Sequence, residues 1–351
     1  MYRNWNGFND FKKGKNMIAI TGGGTGGHLK IAKIIMKELN SRSIRPIYIG
    51  STKGADREWF ENENGFSKKY FLNSTGVVDK KGLKKITSLT NILKLSYHAT
   101  HILKNHNIKA VFSVGGFSAA AASFAAILTK TPLFIHEQNA HIGALNKILK
   151  PFSKRFFNTF IYNDPYPVED IFFEKARIRK EIKTIIFLGG SQGALQINNF
   201  AITVAKELTK KRINIIHQTG KRDYERIKKF YKKEGIQAEV FDFDPNLVEK
   251  ISKADLAISR AGASTLFELA ANQLPTLFIP YPYAAGNHQY YNAKFLVDKK
   301  AGFLSTNPTK KELFNILNNA NLEEISKNLA HINKKGGAKY MVDIMLKSLI
   351  N

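Results

Sequence analysis

Cysteine is absent from the 351 residues, which excludes disulfides and thiolate metal sites and makes a reducing cytosol the simplest compartment. Acidic residues are scarce: 28 Asp and Glu stand against 54 Lys and Arg, a formal charge of +26. Such a chain seeks polyanions, whether nucleic acid, an anionic membrane or phosphorylated substrates. The plain alternative is a lysine-rich, AT-biased coding sequence. No apolar core follows the basic residues of the first sixteen positions, so a signal peptide is not expected there. Residues 1–16 show no helix or strand period, and the strand opening at Met17 suggests a natural start at that methionine. Residues 111–128 are eighteen residues without charge, the length of a short membrane span. Its internal order argues otherwise: Val111–Val114 reads as a strand, Gly115-Gly116 as a turn, and Ser118 to Lys130 as an Ala-rich helix. What is present is globular: 43% apolar residues and 11% aromatics, in a chain long enough for two sizeable cores.

Glycine clusters are the strongest local signal. An apolar strand, Ile18–Thr21, runs into Gly22-Gly23-Gly24-Thr25-Gly26-Gly27-His28 and then a helix, Leu29 to Leu39. Gly22, Gly24 and Gly27 satisfy G-x-G-x-x-G, but a dinucleotide site also needs an acid closing the second strand. That strand, Pro46 to Ile49, ends in Gly50-Ser51-Thr52 with no acid before Asp56. No Gly-Lys-Ser/Thr closes a P-loop either. What remains is a turn whose backbone can approach a phosphate or sugar, with His28 at the helix start. Imidazole there is either a polar cap or a general base. The pattern recurs about 165 residues later as strand Thr184–Leu188, turn Gly189-Gly190-Ser191-Gln192-Gly193-Ala194 and helix Leu195–Leu208. Two such openings indicate two doubly wound α/β domains in tandem.

The most informative stretch is 258–293. Strand end Leu256–Ile258, the small-residue turn Ala261-Gly262-Ala263-Ser264 and a helix from about Thr265 to Asn272 make a phosphate-docking arrangement. Glu268, expected within about the first helical turn, suits a vicinal diol such as ribose better than a phosphate. The simpler reading is an acid favouring the helix N-terminus. Strand Thr276–Ile279 and a Pro-rich loop then deliver Asn287, His288, Gln289 and Asn292. Strands Ile213–His217 and Ala238–Phe241 complete the second sheet, and Glu312 to Leu349 reads as helical. In the first half, His136-Glu137-Gln138-Asn139 follows strand Leu133–Ile135, where open α/β sheets bind ligands. From Asn73 to Lys104 the chain is basic and amphipathic. Lys80, Lys81, Lys84, Lys85 and Lys94 interleave with Leu83, Ile86, Leu89, Ile92, Leu93 and Leu95. This reads either as a core-facing helix or as one lying on an anionic bilayer, where each nearby Lys adds about 1 kcal/mol.

GGGTGGH, VGGFSAAAA, HEQNA, LGGSQGA, SRAGASTLFELAANQLP and NHQYYNA, in this order and spacing, resemble the MurG family of membrane-associated N-acetylglucosaminyltransferases of peptidoglycan synthesis. The resemblance runs from about Met17 to the C-terminus. It implies a GT-B fold, with two Rossmann-like domains facing a cleft. It further implies inverting transfer of GlcNAc from UDP-GlcNAc to the MurNAc 4-hydroxyl of lipid I (undecaprenyl-pyrophosphoryl-MurNAc-peptide), giving lipid II. Carried over position by position, Phe243 and Asp244 would flank the uracil and Glu268 would take the ribose hydroxyls. Ser191, Gln192 and the N–H groups around Ala263, Ser264 and Thr265 would hold the diphosphate; His288, Gln289 and Asn292 would reach the GlcNAc hydroxyls. Thr25, Gly26, Gly27, His28 and Asn139 would face the acceptor, with His28 as its base. The helix face carrying Leu83, Ile86, Leu89, Lys84 and Lys85 would meet the membrane. No metal or other cofactor is implied, since fixed N–H dipoles can stabilise a leaving UDP and no suitably placed Asp-x-Asp motif is evident.

The resemblance places the protein peripherally on the cytoplasmic face of the inner membrane, in cell-wall synthesis, cell shape and division, with other cell-wall proteins as partners and no nucleic acid. The expected boundaries are 17–160 for the acceptor domain, 161–183 for a linker, 184–337 for the donor domain and 338–351 for a terminal helix packing back on the first domain. Two positions depart from the family pattern. Tyr166-Pro167-Val168-Glu169 stands where Asn-Pro-Val-Arg is usual, leaving Arg177 or Arg179 to compensate, and Ile31 replaces a proline. A UDP-GlcNAc 2-epimerase, another GT-B glycolipid glycosyltransferase and a charge-driven polyanion binder are the competing readings. The last lacks the aromatic platforms or recognition helices of nucleic-acid modules.

Overall fold

The computed structural model describes residues 18–76, 83–190 and 192–350, with 83–86 described by backbone alone. The chain divides into two compact units: residues 1–167 with 336–351, and residues 168–335.

The first unit is built on six strands: β1 (Ile18–Thr21), β2 (Ile47–Ser51), β3 (Lys68–Leu72), β4 (Ala110–Ser113), β5 (Leu133–His136) and β6 (Arg155–Phe157). They pair in the order β3-β2-β1-β4-β5-β6, all parallel. The second unit holds β7 (Thr184–Leu188), β8 (Asn214–Gln218), β9 (Ala238–Phe241), β10 (Leu256–Ser259), β11 (Thr276–Phe278) and β12 (Phe303–Leu304). Their order, β9-β8-β7-β10-β11-β12, repeats the first sheet strand for strand. Helices cover both faces of such sheets, so central strands are apolar without alternation; β1, β4, β7 and β10 are buried along nearly their whole length. Ile47, Ile49, Val111 and Ile135 pack with Ala121, Ala125 and Leu103 in one core. Ile185, Phe187, Ile258 and Leu277 pack with Ile197, Val204 and Leu208 in the other.

This strand order sets the ligand end. The winding reverses between β1 and β4, and again between β7 and β10, and ligands enter at the carboxyl ends of those strands. Both glycine-rich turns, Gly115-Gly116 and the turn after β10 lie there. Gly23 N–H donates to Gly115 O at 3.1 Å. A Cβ on Gly22 (φ +111°) would collide with Gly115 O, and one on Gly116 (φ +78°) with Gly23 O. Only glycine lets these two turns touch backbone to backbone.

Three elements escape periodicity. β3 is an edge strand of sequence KKYFL, β6 has three residues and β12 two. The uncharged run at 111–128 resolves into β4, a 3₁₀ turn at Phe117–Ala119 and helix Ala120–Leu128. Among the described residues, no helix is long and apolar enough to cross a membrane. The stretch expected as a linker, 161–183, is not a free connection. Residues 168–183 cluster with the second unit and include helix Asp170–Glu174. Helix Gly337–Lys347 clusters with the first unit, where Asp343 accepts a hydrogen bond from Arg42 at 2.5 Å beside Glu38.

Candidate active site

The first glycine turn feeds helix Gly26–Ser41, with Thr25 as its extended N-cap residue (φ −132°, ψ 153°). Gly26, Gly27 and His28 are therefore its first three helical residues. Thr25 makes no side-chain cap bond; its Oγ1 lies 2.9 Å from His28 Nδ1. His28 Nε2 lies 2.9 Å from Gln138 Nε2. With the amide in this orientation Gln138 donates, so Nε2 carries the lone pair and Nδ1–H donates to Thr25. Gln138 Oε1, however, is buried without a partner. A half-turn of the amide would let it accept from Nε2–H and leave the lone pair on Nδ1.

Glu137 organises the rest of this subsite. It is 3% exposed. Its Oε1 accepts from Asn139 N at 3.0 Å, and its Oε2 from Gly143 N at 2.9 Å and Asn146 Nδ2 at 3.0 Å. Asn158 Nδ2 donates to the carbonyls of Glu137 and Asn139 at 3.1 and 2.9 Å. A methyl on Gly115 would stand 3.0 Å from Asn146 Nδ2 and 3.5 Å from His28 Nε2, so His28, Gln138 and Asn146 converge over the Gly115 turn. His136, in the same motif, is wholly buried with neither ring nitrogen hydrogen-bonded. Burial, then the nearby His28, pushes its pKa down to about 3, so it is a neutral packing group against Tyr166.

In the second unit, Gly189 N donates to Gln218 O at 3.1 Å and Gly193 N to Gly190 O at 3.0 Å. Gln192 is exposed, and Ser191 lies outside the described residues. Helix Ala263–Ala271 follows β10 with Gly262 as its N-cap. That cap has no side-chain oxygen to occupy the first-turn N–H groups. Ala263 is buried, while Ser264 and Thr265 are half-buried. Glu268 sits on the second turn rather than the first, 4% exposed. A favourable interaction with the helix N-terminus fades beyond the first turn, which removes the simpler account of this acid. Phe243 is 55% exposed. Asp244 Oδ1 accepts from Asn246 N at 2.7 Å, and its Oδ2 lies 3.2 Å from Lys250 Nζ. His288 opens helix His288–Val297, with Nδ1 2.8 Å from Ala285 O. Gln289 Oε1 accepts from Tyr281 N at 2.9 Å, and buried Asn292 donates to Ala261 O at 3.1 Å. Asn292 thus ties its helix to the turn after β10.

Arg260, which the sequence reading passed over, gathers the same corner. Its Nη1 donates at 2.9 Å to Gln196 Oε1, Ile279 O and Pro280 O, and its guanidinium lies 5.6 Å from the Tyr281 ring centre. A charged residue just past a strand end was the one available signal. Glu137 carried the same signal, and Gln138 a polar one, but nothing in spacing separates them from Asn139. The linker arginines do not compensate for Glu169. Arg177 pairs with Asp255 at 2.6 Å and with the carbonyls of Ser252 and Ala254. Arg179, fully buried, bonds Asn272 through its carbonyl and side chain, together with Ala254 O. Both are structural clamps of the second unit. Among the described residues no three His, Asp or Glu side chains cluster as a metal site would require.

On the membrane face expected from the sequence, helix Leu83–Asn105 exposes Leu89 (47%), Leu93 (67%) and Tyr97 (67%). It buries Ile92, Ser96, Ala99 and Leu103. The outward stripe continues further along the helix than the sequence reading placed it. The side chains of Leu83, Lys84, Lys85 and Ile86 lie outside the described residues, as do Lys80 and Lys81.

Residues 18–158 match the glycosyltransferase family 28 N-terminal domain and residues 184–344 its C-terminal domain. The UDP-N-acetylglucosamine–N-acetylmuramyl-(pentapeptide) pyrophosphoryl-undecaprenol N-acetylglucosamine transferase of Campylobacter jejuni is 55% identical over 328 residues, 93% of this chain and 96% of the relative. The transferase of the same name from Nitratiruptor sp. is 53% identical over 333 residues, 95% and 99% of the two chains. A crystal structure of Acinetobacter baumannii MurG superposes with a TM-score of 0.78 at 27% identity, covering 95% of this chain and 99% of that one. With both domains matched in order and relatives above half identity along nearly the whole chain, this protein belongs to glycosyltransferase family 28 as a member of its MurG group.

Proposed function

We propose that the protein transfers GlcNAc from UDP-GlcNAc to the MurNAc 4-hydroxyl of lipid I, forming lipid II. The observation that carries this reading is identity above one half, over nearly full length, to transferases named for that reaction. In the reaction the acceptor oxygen bonds to the anomeric carbon of GlcNAc as the bond from that carbon to the UDP oxygen breaks. Attack from the face opposite UDP gives inversion and a β-1,4 linkage. The hydroxyl proton passes to His28, whose two partners, Thr25 and Gln138, hold its ring in one plane.

The donor reading rests on the second unit. UDP departs with its growing charge against the uncapped start of helix Ala263–Ala271 and the Gly189–Gly193 turn, with Ser191 and Gln192. Dipoles fixed before reaction need no reorganisation, so no metal is required. Phe243 and Asp244 bracket the uracil, Glu268 takes the ribose hydroxyls, and His288, Gln289 and Asn292 read the sugar. Near-complete burial of Glu268 suits that role, since a desolvated carboxylate gains most from two hydroxyl donors. Thr25, Gly26, Gly27 and Asn139 serve the acceptor.

The protein works peripherally on the cytoplasmic face of the inner membrane, through the Leu89–Leu93–Tyr97 stripe and its flanking lysines. There it serves peptidoglycan synthesis and hence cell shape and division, alongside other cell-wall proteins. The deciding experiment supplies labelled UDP-GlcNAc with and without a lipid I analogue and separates the products. Label in a disaccharide-bearing lipid is expected. Soluble UDP-ManNAc formed without acceptor would replace the transferase by an epimerase.

A further inference from the structure

We infer that Asp56 is the positioning residue of the first glycine turn, its carboxylate clamping the turn to the end of β2 so that Thr25 and His28 meet the acceptor in register. The inference rests on the reading that this turn serves the acceptor.

Asp56 is fully buried at the start of helix Asp56–Phe60. Its Oδ2 accepts from Gly24 N at 2.6 Å, and its Oδ1 accepts from Ser51 N and the Tyr48 hydroxyl, each at 3.0 Å. The Tyr48 hydroxyl also lies 2.9 Å from Gly22 O, so one proton is shared between the carboxylate and the turn. A Cβ on Gly23 would stand 2.7 Å from Oδ1, so the turn is wrapped directly on the carboxylate. No Lys or Arg pairs with Asp56 among the described residues; every donor it has is neutral. Burying a carboxylate without a cation is costly, and a hydroxyl could have held the Gly24 N–H at smaller expense. What a hydroxyl lacks is two rigidly linked acceptor atoms. The carboxylate uses one for the turn and the other for β2, joining two segments that share no backbone bond at that point.

The clamp bears on the chemistry through the chain itself. Gly24 N–H points inward at Asp56, so it is not a donor to any ligand. Its neighbour Thr25 holds His28 Nδ1 at 2.9 Å. One peptide unit therefore separates the clamp from the residue that fixes the imidazole. A shift of Gly24 is passed to His28, and a misplacement of about 1 Å can cost about 100-fold in rate. Asp56 touches neither reacting group, and it answers the missing acid at the end of β2: the acid is present, folded back beneath the turn.

The test uses the full chain with Asp56→Asn and Tyr48→Phe. In the asparagine variant an amide N–H faces the Gly24 or Ser51 N–H, donor against donor. We expect kcat/KM for a lipid I analogue to fall about 100-fold while UDP affinity by calorimetry stays within about twofold. Tyr48→Phe, which keeps the carboxylate, should lose several-fold on the acceptor only. Wild-type acceptor kinetics in folded Asp56→Asn would overturn the clamp and leave the functional reading intact. Loss of UDP affinity with acceptor kinetics preserved would instead sink the assignment of this turn to the acceptor. Equal loss on both sides would reduce Asp56 to general stability. Should Asp56→Asn fail to fold, Tyr48→Phe decides: an acceptor-only loss supports the clamp, and wild-type values overturn it.

Discussion

His28 has hydrogen-bonding neighbours at both ring nitrogens, Thr25 and Gln138, each 2.9 Å away. Both side chains are uncharged, and changing one of them to a charge should move the pH profile. Gln138→Glu places a carboxylate beside the ring and stabilises the imidazolium. The acidic limb of kcat/KM against pH should then move upward by about 1–2 units. An unmoved limb would remove His28 from the proton transfer. His28→Ala should lower kcat by a factor of about 100 or more while leaving UDP affinity unchanged, since a general base acts in the transition state and not on the donor. His28 and Asn139 were legible as residues because both follow strand ends. Glu137 and Gln138 share that position, but their roles come from Asn146, Gly143 and His28 being brought to them by other segments.

At the scale of elements, β8 carries a second buried histidine. His217 Nε2 lies 3.1 Å from Asn198 Oδ1, and its Nδ1 lies 3.1 Å from the Tyr231 hydroxyl. Burial pushes its pKa down to about 3, with Asp223 raising it and Arg226 lowering it by less. It stays neutral in the fold but gains a proton near pH 6.5 once unfolded, as does His136. Below about pH 6.5 the unfolded chain thus binds more protons, and stability falls with pH, by up to about 1.4 kcal/mol per pH unit for each histidine. Urea midpoints should drop steadily from pH 7 to pH 4. His217→Phe should be less stable at pH 7, by about 1–3 kcal/mol for the two polar groups left unpaired, yet show a shallower pH slope.

Helix Leu83–Asn105 makes the corresponding prediction at the surface. Changing Leu89, Leu93 and Tyr97 together to Ser should weaken flotation with anionic vesicles at unchanged Tm, because these side chains are already exposed. A fall in Tm with vesicle binding retained would mean that the stripe packs on protein. Periodicity identified this helix as amphipathic but could not say which apolar residues face outward, since Leu93 and Ile92 differ only in what packs beside them.

For the whole molecule, the two sheets repeat one strand order, and the last helix returns to the first unit. Met341, Val342 and Met345 are fully buried, and Leu346 nearly so; each such side chain contributes about 1.5–3 kcal/mol. Set against the about 5–15 kcal/mol of a typical domain, removing residues 337–351 should unfold the first unit at much lower urea. The fluorescence of Trp59, which lies in that unit, should report its early loss. If residues 168–335 hold the donor, as proposed above, UDP affinity should persist in the same urea range.

The amino-acid order alone determined the class of most segments: apolar runs of strand length, glycine turns after β1, β4, β7 and β10, and the same opening succession twice. These are local properties, and tandem doubly wound sheets follow from them because a parallel strand needs a crossover to reach its neighbour. Tertiary structure decided which polar groups became partners. Asp56 turns back under a loop that lies 32 residues earlier in the chain, and Arg179 reaches Asn272 across 93 residues. Such pairings depend on which chain segments the sheet order makes neighbours, and a hydrogen bond spanning that sequence distance leaves no period to read.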